Sequence, residues 1–507
     1  EETDRQSQAG LASREVGPKS SLVEYYLIDE GRVELESAVK CPVPVKHRLL
    51  RFLYRQATPI YLGAIVLLTA CILGLAIYAS GLSFTWVLVL IALLGVFPSS
   101  EIAVQIINYL ISIAIPPRLL PKLSFRKGGV PDQHKTLVIV PMVLLTPDSI
   151  RTQLKQLEVN YLANPERNLL FGLLSDFPDA PAPTAPEDNS LYEQVFNGIR
   201  ELNEKYEKDV FYLFHRDRVW SESEQRWMGW ERKRGKLEEL NCLLNQEPHP
   251  FEQLAGLSYK PQPSKLLRLG SPAGLKGVRY VLTLDADTDL PPGTALRMIE
   301  TLAHPLNQPN LREDGSRVES GYAIIQPRVS AALPDAIATR FTRLFSDPGG
   351  TDPYTPLVSD AYQDLFGDSI YHGKAIYDVR AFHRILSGRF PPETLLSHDL
   401  IEGCYLRVGL ASDIEILESF PHYYHAWMHR FHRWIRGDWQ ILSWILPRVP
   451  VPEAYYSRPA LPESPSSPAQ QGEDGVVSRA AQLSLRKEPN PLSVISRWKI
   501  LDNLRRS

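Results

Sequence analysis

Three aspartates stand at the end of an apolar stretch in the segment VRYVLTLDADTDL, residues 278–290. Carboxylates this close repel one another, so away from water they need a cation or hydrogen-bond donors. One interpretation is a divalent-metal site of hard oxygen ligands at the carboxyl end of a buried strand. The other is a solvated turn, since Asp, Thr and the following Pro-Pro pair are common turn residues. The aspartates are Asp285, Asp287 and Asp289.

A fourth carboxylate, Asp176, ends the apolar stretch NLLFGLLSDF. It is placed to accept hydrogen bonds from a base or a ribose, or simply to cap a helix. Further along, GWERKRGKLEELNCLL (229–244) has a basic, Gly-containing turn ahead of a helix. Such a turn suits a diphosphate, although a basic run is also typical of a solvated face. Its cations are Arg232, Lys233, Arg234 and Lys236.

The segment LLSHDLIEG (395–403) embeds His398, Asp399 and Glu402 among apolar neighbours. Desolvation there would raise the basicity of a carboxylate, which is what a general base requires. Asp399 would serve equally well as the cap of the helix that follows. The stretch alone leaves both interpretations open.

The segment HRFHRWIRGDWQ (429–440) combines arginines with tryptophans. Arginine pairs bidentately with phosphate, and an indole face packs well on a sugar ring. The alternative is the end of an amphipathic helix lying against a membrane. The residues concerned are Arg430, Arg433, Arg436, Trp434 and Trp439.

The elements that must position these side chains begin at Thr136, where apolar stretches of strand length start to alternate with helical patterns. This alternation predicts an α/β fold with a mainly parallel sheet, which binds ligands at its strand ends. The predicted strands are TLVIVPMVLL, NLLFGLLSDF, VFYLFHR, the stretch before Asp285, and GYAIIQPRV.

A membrane attachment is predicted ahead of this domain, because no charged residue occurs between Arg55 and Glu101. The runs IYLGAIVLLTACILGLAIY and WVLVLIALLGVF approach the ~20 residues that a membrane helix needs, which indicates a helical hairpin. Basic residues flank it on both sides, so the positive-inside bias places both ends in the cytoplasm. The next segment, EIAVQIINYLISIAIPPRLLP, either lies in the membrane interface or enters the membrane more deeply.

Composition sets further bounds on the protein. A net charge of −3 over 507 residues argues against a nucleic-acid-binding protein. The four cysteines form no Cys-x-x-Cys pair, which argues against a disulfide framework or a zinc finger. The first residue is Glu1, which predicts a fragment of a longer protein.

The predicted division is an N-terminal cytoplasmic segment (1–58), a transmembrane hairpin plus interfacial helix (59–117), the α/β domain (118–449), a flexible linker (450–489) and an amphipathic interfacial segment leading to further membrane spans (490–507).

Taken in order, these features resemble an inverting GT-A glycosyltransferase of the processive membrane synthase type. Seven motifs resemble more specifically the glycosyltransferase region of cyclic β-1,2-glucan synthases. They are YYLIDEGRVELE, LPKLSFRKGGVP, GWERKRGKLEELN, YVLTLDADTDLP, DPYTPLVSDAYQDLFGDSIYHGKAIYDV, LLSHDLIEGCYLR and HRWIRGDWQIL.

The resemblance implies a Rossmann-like GT-A domain that polymerises glucose from UDP-glucose into a β-1,2-glucan, with Mg²⁺ or Mn²⁺ as cofactor. It implies UDP-glucose and the growing glucan as partners, with C-terminal membrane and phosphorylase-like parts, in a multi-pass protein of the bacterial inner membrane. The implied roles are Asp399 as catalytic base; Asp176, Lys236, Asp285, Arg433 and Arg436 in donor binding; Asp285 and Asp287 at the metal; and Trp434, Asp364 and Tyr362 in acceptor binding.

Two positions depart from the family pattern: Phe431 stands where Gln is expected, and Ala375 where Gly is expected. Two other functions therefore stay open. One is another membrane β-glycan synthase of the same fold, which would share the carboxylates and differ in the acceptor pocket. The other is a nucleotide-sugar-binding module without catalysis.

Overall fold

The computed structural model describes residues 19–81, 86–251, 262–346, 360–452 and 485–507. The α-helices are α1 (Val23–Ile28), α2 (Arg32–Ala38), α3 (Val45–Arg55), α4 (Ala57–Ala79), α5 (Trp86–Ala114), α6 (Pro147–Ala163), α7 (Asp188–Tyr206), α8 (Arg232–Asn245), α9 (Pro272–Leu275), α10 (Thr294–Ala303), α11 (Leu333–Ala336), α12 (Arg340–Phe345), α13 (Ala361–Phe366), α14 (Val379–Leu386), α15 (Asp399–Leu406), α16 (Tyr424–Gln440) and α17 (Val494–Arg506).

The strands are β1 (Thr136–Val143), β2 (Leu169–Asp176), β3 (Phe211–Arg216), β4 (Val219–Ser221), β5 (Arg226–Met228), β6 (Leu267–Leu269), β7 (Tyr280–Thr283), β8 (Thr288–Asp289), β9 (Asn310–Leu311), β10 (Val318–Ser320), β11 (Ile324–Ala331), β12 (Ala375–Asp378), β13 (Val408–Glu418), β14 (Arg448–Pro452) and β15 (Leu485–Pro489).

A nine-stranded sheet in the order β6-β3-β2-β1-β7-β12-β11-β13-β8 forms the centre of the domain. Strands β3, β2, β1 and β7 are parallel to one another, and β11 is parallel to β13. Strand β12 is antiparallel to both β7 and β11, so these two groups run in the same direction. The prediction of an α/β fold with a mainly parallel sheet is therefore confirmed.

Apolar side chains cover both faces of this sheet. In β1, Leu137 and Ile139 belong to the core on one face, whereas Val138 and Val140 belong to the core on the other. Side chains alternate along a strand, so a strand buried on both faces reads as a continuous apolar run. This is why TLVIVPMV contains no regular polar position.

The two apolar helices α4 and α5 stand ahead of the domain and contact each other. Both are long and apolar enough to cross a membrane, by length and composition. Helix α5 continues through Pro98 to Ala114 as one 29-residue helix. The segment from Glu101 to Ala114 is thus the second half of this helix, and the predicted separate interfacial helix is corrected in that respect.

Helix α17 packs into the domain instead of lying apart from it. The ammonium of Lys499 lies 3.0 Å from Asp368 Oδ2, and Cys404 Sγ lies 3.6 Å from the carbonyl of Ser496. Seven residues of the helix are buried. Val494 and Leu501 of the same helix stay exposed, and the interfacial position of 490–507 stays a prediction.

The same helix joins the domain to the apolar pair. Tyr61 of α4 packs edge-on against the rings of Tyr362 and Trp498, with centroids 6.2 and 6.4 Å apart. Arg505 donates to the carboxylate of Glu101 at 2.6 Å. We call this contact region the joint. Of the predicted linker, the two ends form the antiparallel pair β14–β15, and residues 453–484 lie outside the described residues.

Candidate active site

Two of the three aspartates at 285–289 lie beside a glutamate that is distant from them in sequence, at the end of the sheet. Asp285 and Asp287 follow β7, and Glu418 is the last residue of β13, which pairs with β8 opposite Thr288. Ligand oxygens of these three side chains lie within 4.8 Å of one another. We call them the aspartate group. Asp289 stands outside it on β8, so Glu418 takes the third position that the sequence suggested for Asp289.

Three cations surround the aspartate group. Lys233 Nζ lies 2.6 Å from Asp285 Oδ1, and Lys374 Nζ lies 3.1 Å from Asp285 Oδ2. Lys374 also lies 2.8 Å from Glu418 Oε2. The other oxygen of Glu418 accepts from Arg430 of α16. Each carboxylate oxygen of Asp285 and Glu418 therefore faces a positive charge.

The pKa values of Asp285 and Asp287 are shifted in opposite directions. Burial alone would raise the pKa of Asp285, but Lys233 and Lys374 outweigh it and hold the pKa below its usual value. Burial and the negative charges of Glu418 and Asp285 instead raise the pKa of Asp287. Asp287 is thus the member of the group that lacks a compensating cation of its own, and a bound cation would favour its charged form.

His398, Asp399 and Glu402 form a second group at the start of α15. His398 Nδ1 lies 2.9 Å from Glu402 Oε2 and 3.5 Å from Asp399 Oδ1. Burial lowers the pKa of His398, but Glu402 and Asp399 outweigh it and raise the pKa above its usual value. Burial also raises the pKa of Glu402, against the opposing charge of His398. We call this arrangement the histidine group.

The loop ahead of β12 connects the two groups. Gly373 has a φ of +85°, and a Cβ added there would lie 2.7 Å from Asp399 Oδ2. Its carbonyl accepts from Lys233 at 3.0 Å, and the next residue is Lys374, which pairs with Asp285. A residue without a side chain is required at Gly373 because the Asp399 carboxylate occupies that space.

Asp176 lies at the end of β2 with both oxygens engaged. Arg216 donates to it bidentately at 2.9 and 3.0 Å, and Lys236 Nζ lies 3.1 Å away. Burial opposes ionisation, but these two cations hold the pKa of Asp176 at about 2. A Cβ on Gly229 would lie 2.5 Å from Asp176 Oδ2, which brings the β5–α8 connection against the carboxylate.

The basic run at the start of α8 divides between two roles. Lys236 is 3% exposed, and its ammonium donates to the carbonyls of Met142 and Leu174 at 2.9 and 3.3 Å. This binding to protein oxygens favours a structural role for Lys236 over the predicted contact with a diphosphate. Lys233, three residues earlier, is the cation that reaches the aspartate group.

Helix α16 supports both groups at once. Its Arg430 holds Glu418 and lies over the ring of Trp434, 4.9 Å from the ring centroid. One turn before its end, Gly437 lies so close to Ser397 that an added Cβ would approach the Ser397 Cβ at 2.4 Å. Gln440 accepts from the backbone N–H of Leu396 at 2.6 Å. The helix thereby positions the loop that carries His398 and Asp399.

Four further residues were predicted to bind the donor or the acceptor, namely Arg433, Arg436, Asp364 and Tyr362. Arg433 is exposed on α16, and Arg436 pairs with Glu224 at 3.2 Å. Asp364 and Tyr362 are buried in the joint, where Asp364 accepts from the N–H of Arg118 at 2.8 Å and Tyr362 donates to Asp502 at 3.2 Å. These contacts favour a structural role for both over the predicted contact with an acceptor.

The aspartate group fits a divalent cation. Its three carboxylates offer the hard oxygen ligands that Mg²⁺ and Mn²⁺ prefer. Burial, followed by the charges of Glu418 and Asp285, raises the pKa of Asp287, and a bound cation would oppose that rise. Asp285, Asp287 and Glu418 would hold the ion. Sequence reasoning missed Glu418 and Lys374, because a single Glu at a strand end and a single Lys in a loop carry no local signal of their partners.

No protein-family model matches the chain. The chain is 36% identical over 419 residues to the cyclic beta-(1,2)-glucan synthase NdvB of Rhizobium meliloti (strain 1021), a match that covers 82% of this chain. The predicted resemblance to the glycosyltransferase region of a cyclic β-glucan synthase is confirmed. The chain spans 13% of the length of this relative.

Proposed function

We propose that this chain is an inverting glucosyltransferase of the GT-A type, which transfers glucose from UDP-glucose to the 2-hydroxyl of a growing β-glucan. The observation that carries the proposal is the loop of Gly373, which sets a cation-balanced carboxylate group directly beside a second group with an ionisable base. Donor activation and proton removal need two such neighbouring environments.

On the donor side, Asp285, Asp287 and Glu418 hold Mg²⁺ or Mn²⁺. When bound, the ion supplies positive charge that stabilises the leaving diphosphate. Lys233 contributes a further positive charge at the same place, since its ammonium lies 2.6 Å from Asp285. Asp176 lies at the end of β2, which β1 separates from β7, and its pairing with Arg216 shapes the pocket edge for the nucleoside.

On the acceptor side, Asp399 is the general base. It takes the proton from the acceptor hydroxyl as that oxygen bonds to the anomeric carbon and the bond to the UDP oxygen breaks. Attack from the side opposite UDP converts the α-linked donor into a β-linked product. His398 positions Asp399 and Glu402, since its Nδ1 lies 3.5 Å from the first carboxylate and 2.9 Å from the second. Trp434 offers an indole face to the acceptor sugar.

The cellular setting follows from the helical pair and the relative. We infer a bacterial inner-membrane protein in which α4 and α5 cross the bilayer and the sheet domain lies in the cytoplasm, on the side of the basic flanks. The name of the relative, a cyclic beta-(1,2)-glucan synthase, supports a cyclic β-1,2-linked product for the whole protein. Further membrane and phosphorylase-like parts would then belong to that longer protein.

The experiment is transfer of labelled glucose from UDP-glucose by membranes that contain the protein, with Mg²⁺, with Mn²⁺ and with chelator. Wild type is compared with Asp399→Asn and with a matched surface variant, Asp413→Asn. Asp413 pairs with Lys122 away from both groups. We expect metal-dependent β-1,2-linked product from wild type and Asp413→Asn, and a loss of about 10²–10⁴-fold with Asp399→Asn.

Each of the other outcomes of this experiment would contradict a different part of the proposed function. Product of another linkage would indicate a different β-glycan synthase. UDP-glucose binding without transfer in any form would indicate a binding module. Full transfer by Asp399→Asn would remove Asp399 as the base and would leave Glu402 as the carboxyl group to test next.

A further inference from the structure

A cavity of about 250 Å³ lies beside the candidate active site and has no role in the chemistry described so far. Three parts of the chain build its walls: the β4–β5 hairpin with the start of α8, the loop at 393–396, and the end of α16. Residues that line it are close in sequence to both groups. Leu396 stands two residues before His398, and Arg232 stands next to Lys233.

The charges around the cavity disfavour an anionic ligand. Its lining contains three carboxylates, Glu224, Glu231 and Glu393, and two guanidinium groups, Arg232 and Arg436. Arg436 is already paired with Glu224 at 3.2 Å, and Arg232 is paired with Asp179 outside the lining at 3.0 Å. Glu231 is likewise paired with Arg234 at 2.8 Å, so a nucleotide or a free phosphate would meet paired charges and no uncommitted arginine among these residues.

The same lining suits a neutral ligand rich in hydroxyl groups. Trp220 and Trp230 offer indole surface, and Gln440, Ser221 and the carboxylates offer hydrogen-bonding groups. The volume is just below the roughly 300–1,000 Å³ of typical small-molecule sites, which leaves room for a short oligosaccharide segment. Aromatic faces with a few oriented polar groups are what sugar recognition requires.

The backbone around the cavity is held in unusual conformations. Glu231, Arg232 and Glu393 have φ values of +50°, +49° and +59°, which lie in the left-handed region. Glu393 bridges the walls, since its backbone N–H donates to Glu231 and its carboxylate accepts from the N–H of Ser223 at 3.0 Å. Non-glycine residues keep such conformations only where surrounding contacts enforce them, and they concentrate at binding sites.

We propose that this cavity binds a segment of the β-glucan acceptor behind its reacting end. The inference rests on the proposed function, in which Asp399 receives the proton of the acceptor hydroxyl. Leu395 and Leu396 line the cavity, and Asp399 begins α15 three residues after Leu396, so a short loop connects the cavity wall to the proposed base. Binding the chain away from the reacting sugar would hold it through successive transfers. Arg436, predicted to bind the donor, would instead orient the acceptor through Glu224.

The test is equilibrium binding of β-1,2-linked gluco-oligosaccharides to the full chain in lipid nanodiscs, without turnover. Wild type is compared with Trp220→Ala, Trp220→Phe and the matched control Trp227→Ala. Trp227 pairs with Trp220 across the same hairpin, with centroids 6.0 Å apart, but does not line the cavity. We expect about tenfold weaker binding for Trp220→Ala, a smaller loss for Trp220→Phe, and a change within about twofold for Trp227→Ala.

UDP-glucose binding is measured in parallel on the same variants and should stay within about twofold of wild type. Oligosaccharide binding that is equal in wild type and both Trp220 variants would overturn the proposal. So would no oligosaccharide binding, or an equal loss of UDP-glucose binding, which would assign the cavity to the nucleotide. Glucose transfer, assayed separately, decides the proposed function, since binding through Trp220 without transfer would leave only the cavity assignment standing.

Discussion

The aspartate group and the histidine group lie side by side, but the negative charges of their carboxylates are balanced in different ways. In the first, Lys233, Lys374 and Arg430 supply fixed positive charges to Asp285 and Glu418. In the second, His398 lies 2.9 Å from Glu402 and supplies a positive charge only when its ring is protonated. The charge balance of the first group is therefore fixed, whereas that of the second changes with a proton.

This difference assigns a division of labour. A group with fixed charges presents the same field at every pH near neutrality and suits the binding of a charged donor. A group whose balance changes with one proton suits proton transfer. The loop of Gly373 is the shared wall, because it contacts Lys233 on one side and Asp399 on the other. Variants on each side of this wall should separate the two roles.

The largest expected effect separates donor binding from proton removal. Asp287→Asn should weaken binding of UDP-glucose in the presence of Mg²⁺ by about tenfold or more and reduce transfer by about 10²-fold or more. Asp399→Asn should reduce transfer by about 10²–10⁴-fold and leave donor binding within about twofold of wild type. Titration of UDP-glucose with each metal measures both. Equal loss of donor affinity in the two variants would contradict the division between the groups.

The second largest expected effect comes from a substitution in the loop of Gly373, which lies between the two groups. Gly373→Ala places a methyl group 2.7 Å from the Asp399 carboxylate at a φ of +85°. We expect about 1–3 kcal/mol loss of stability and roughly 10²-fold slower transfer, because the base is displaced. Thermal unfolding and initial rates measure these losses. Gly277→Ala is the control, since Gly277 has a φ of +79° and nothing within 4 Å of an added Cβ; a matching loss of transfer there would rule out contact as the cause.

A third effect tests the fixed charges. Lys374→Met removes a cation that is 2.8 Å from Glu418 and 3.1 Å from Asp285. We expect about 1–3 kcal/mol of destabilisation, reduced from the value for fully buried pairs because Asp285 is partly exposed. Added Mg²⁺ should restore more of the thermal midpoint than it adds to wild type. Lys122→Met, which breaks a surface pair with Asp413, should show no such recovery.

The smallest effect concerns the proton of the histidine group. The pKa of His398 and the pKa of Glu402 are both raised in the folded protein. Their stabilising contribution is fully present below the unfolded pKa of each group and is lost as pH rises through the raised folded pKa. For His398 this window begins above about pH 6.5. The thermal midpoint should therefore fall between pH 6.5 and pH 9, and Glu402→Gln should flatten this fall.

The control for this last prediction is Glu158→Gln. The hydrogen bond from Lys205 lowers the pKa of Glu158, so its contribution is present above the unfolded pKa and is lost only as pH falls below the usual range of glutamate. Removing Glu158 should leave the slope between pH 6.5 and pH 9 unchanged. A slope that survives Glu402→Gln would exclude the histidine group as its source.

Local pattern was sufficient for the fold and for the centre of each group. Continuous apolar runs predicted the parallel strands, because strands covered on both faces have no polar position. Asp285, Asp287 and Asp399 were found because each stands at the end of a strand or the start of a helix. These are signals within a few residues of the chain.

Residues whose roles depend on distant partners were not predicted. Glu418 joins Asp287 only through the pairing of β13 with β8, and Lys374 reaches Asp285 only through the loop ahead of β12. Tyr362 and Asp364 were assigned to the acceptor from a resemblance, but the structure buries them in the joint. Asp502, the partner of Tyr362, lies 140 residues away in the chain, and Arg118, the partner of Asp364, lies 246 residues away. No local pattern records such contacts.

The joint also brings together parts of the chain that are made at very different times. Glu101 of α5 and Arg505 of α17 are 404 residues apart in the chain, and they form one ion pair. At a synthesis rate of about 5–20 residues per second, roughly 20–80 seconds separate their emergence from the ribosome. The apolar helices therefore leave the ribosome well before α17 exists, and the contact between them and the domain is completed only when the end of this sequence has been made.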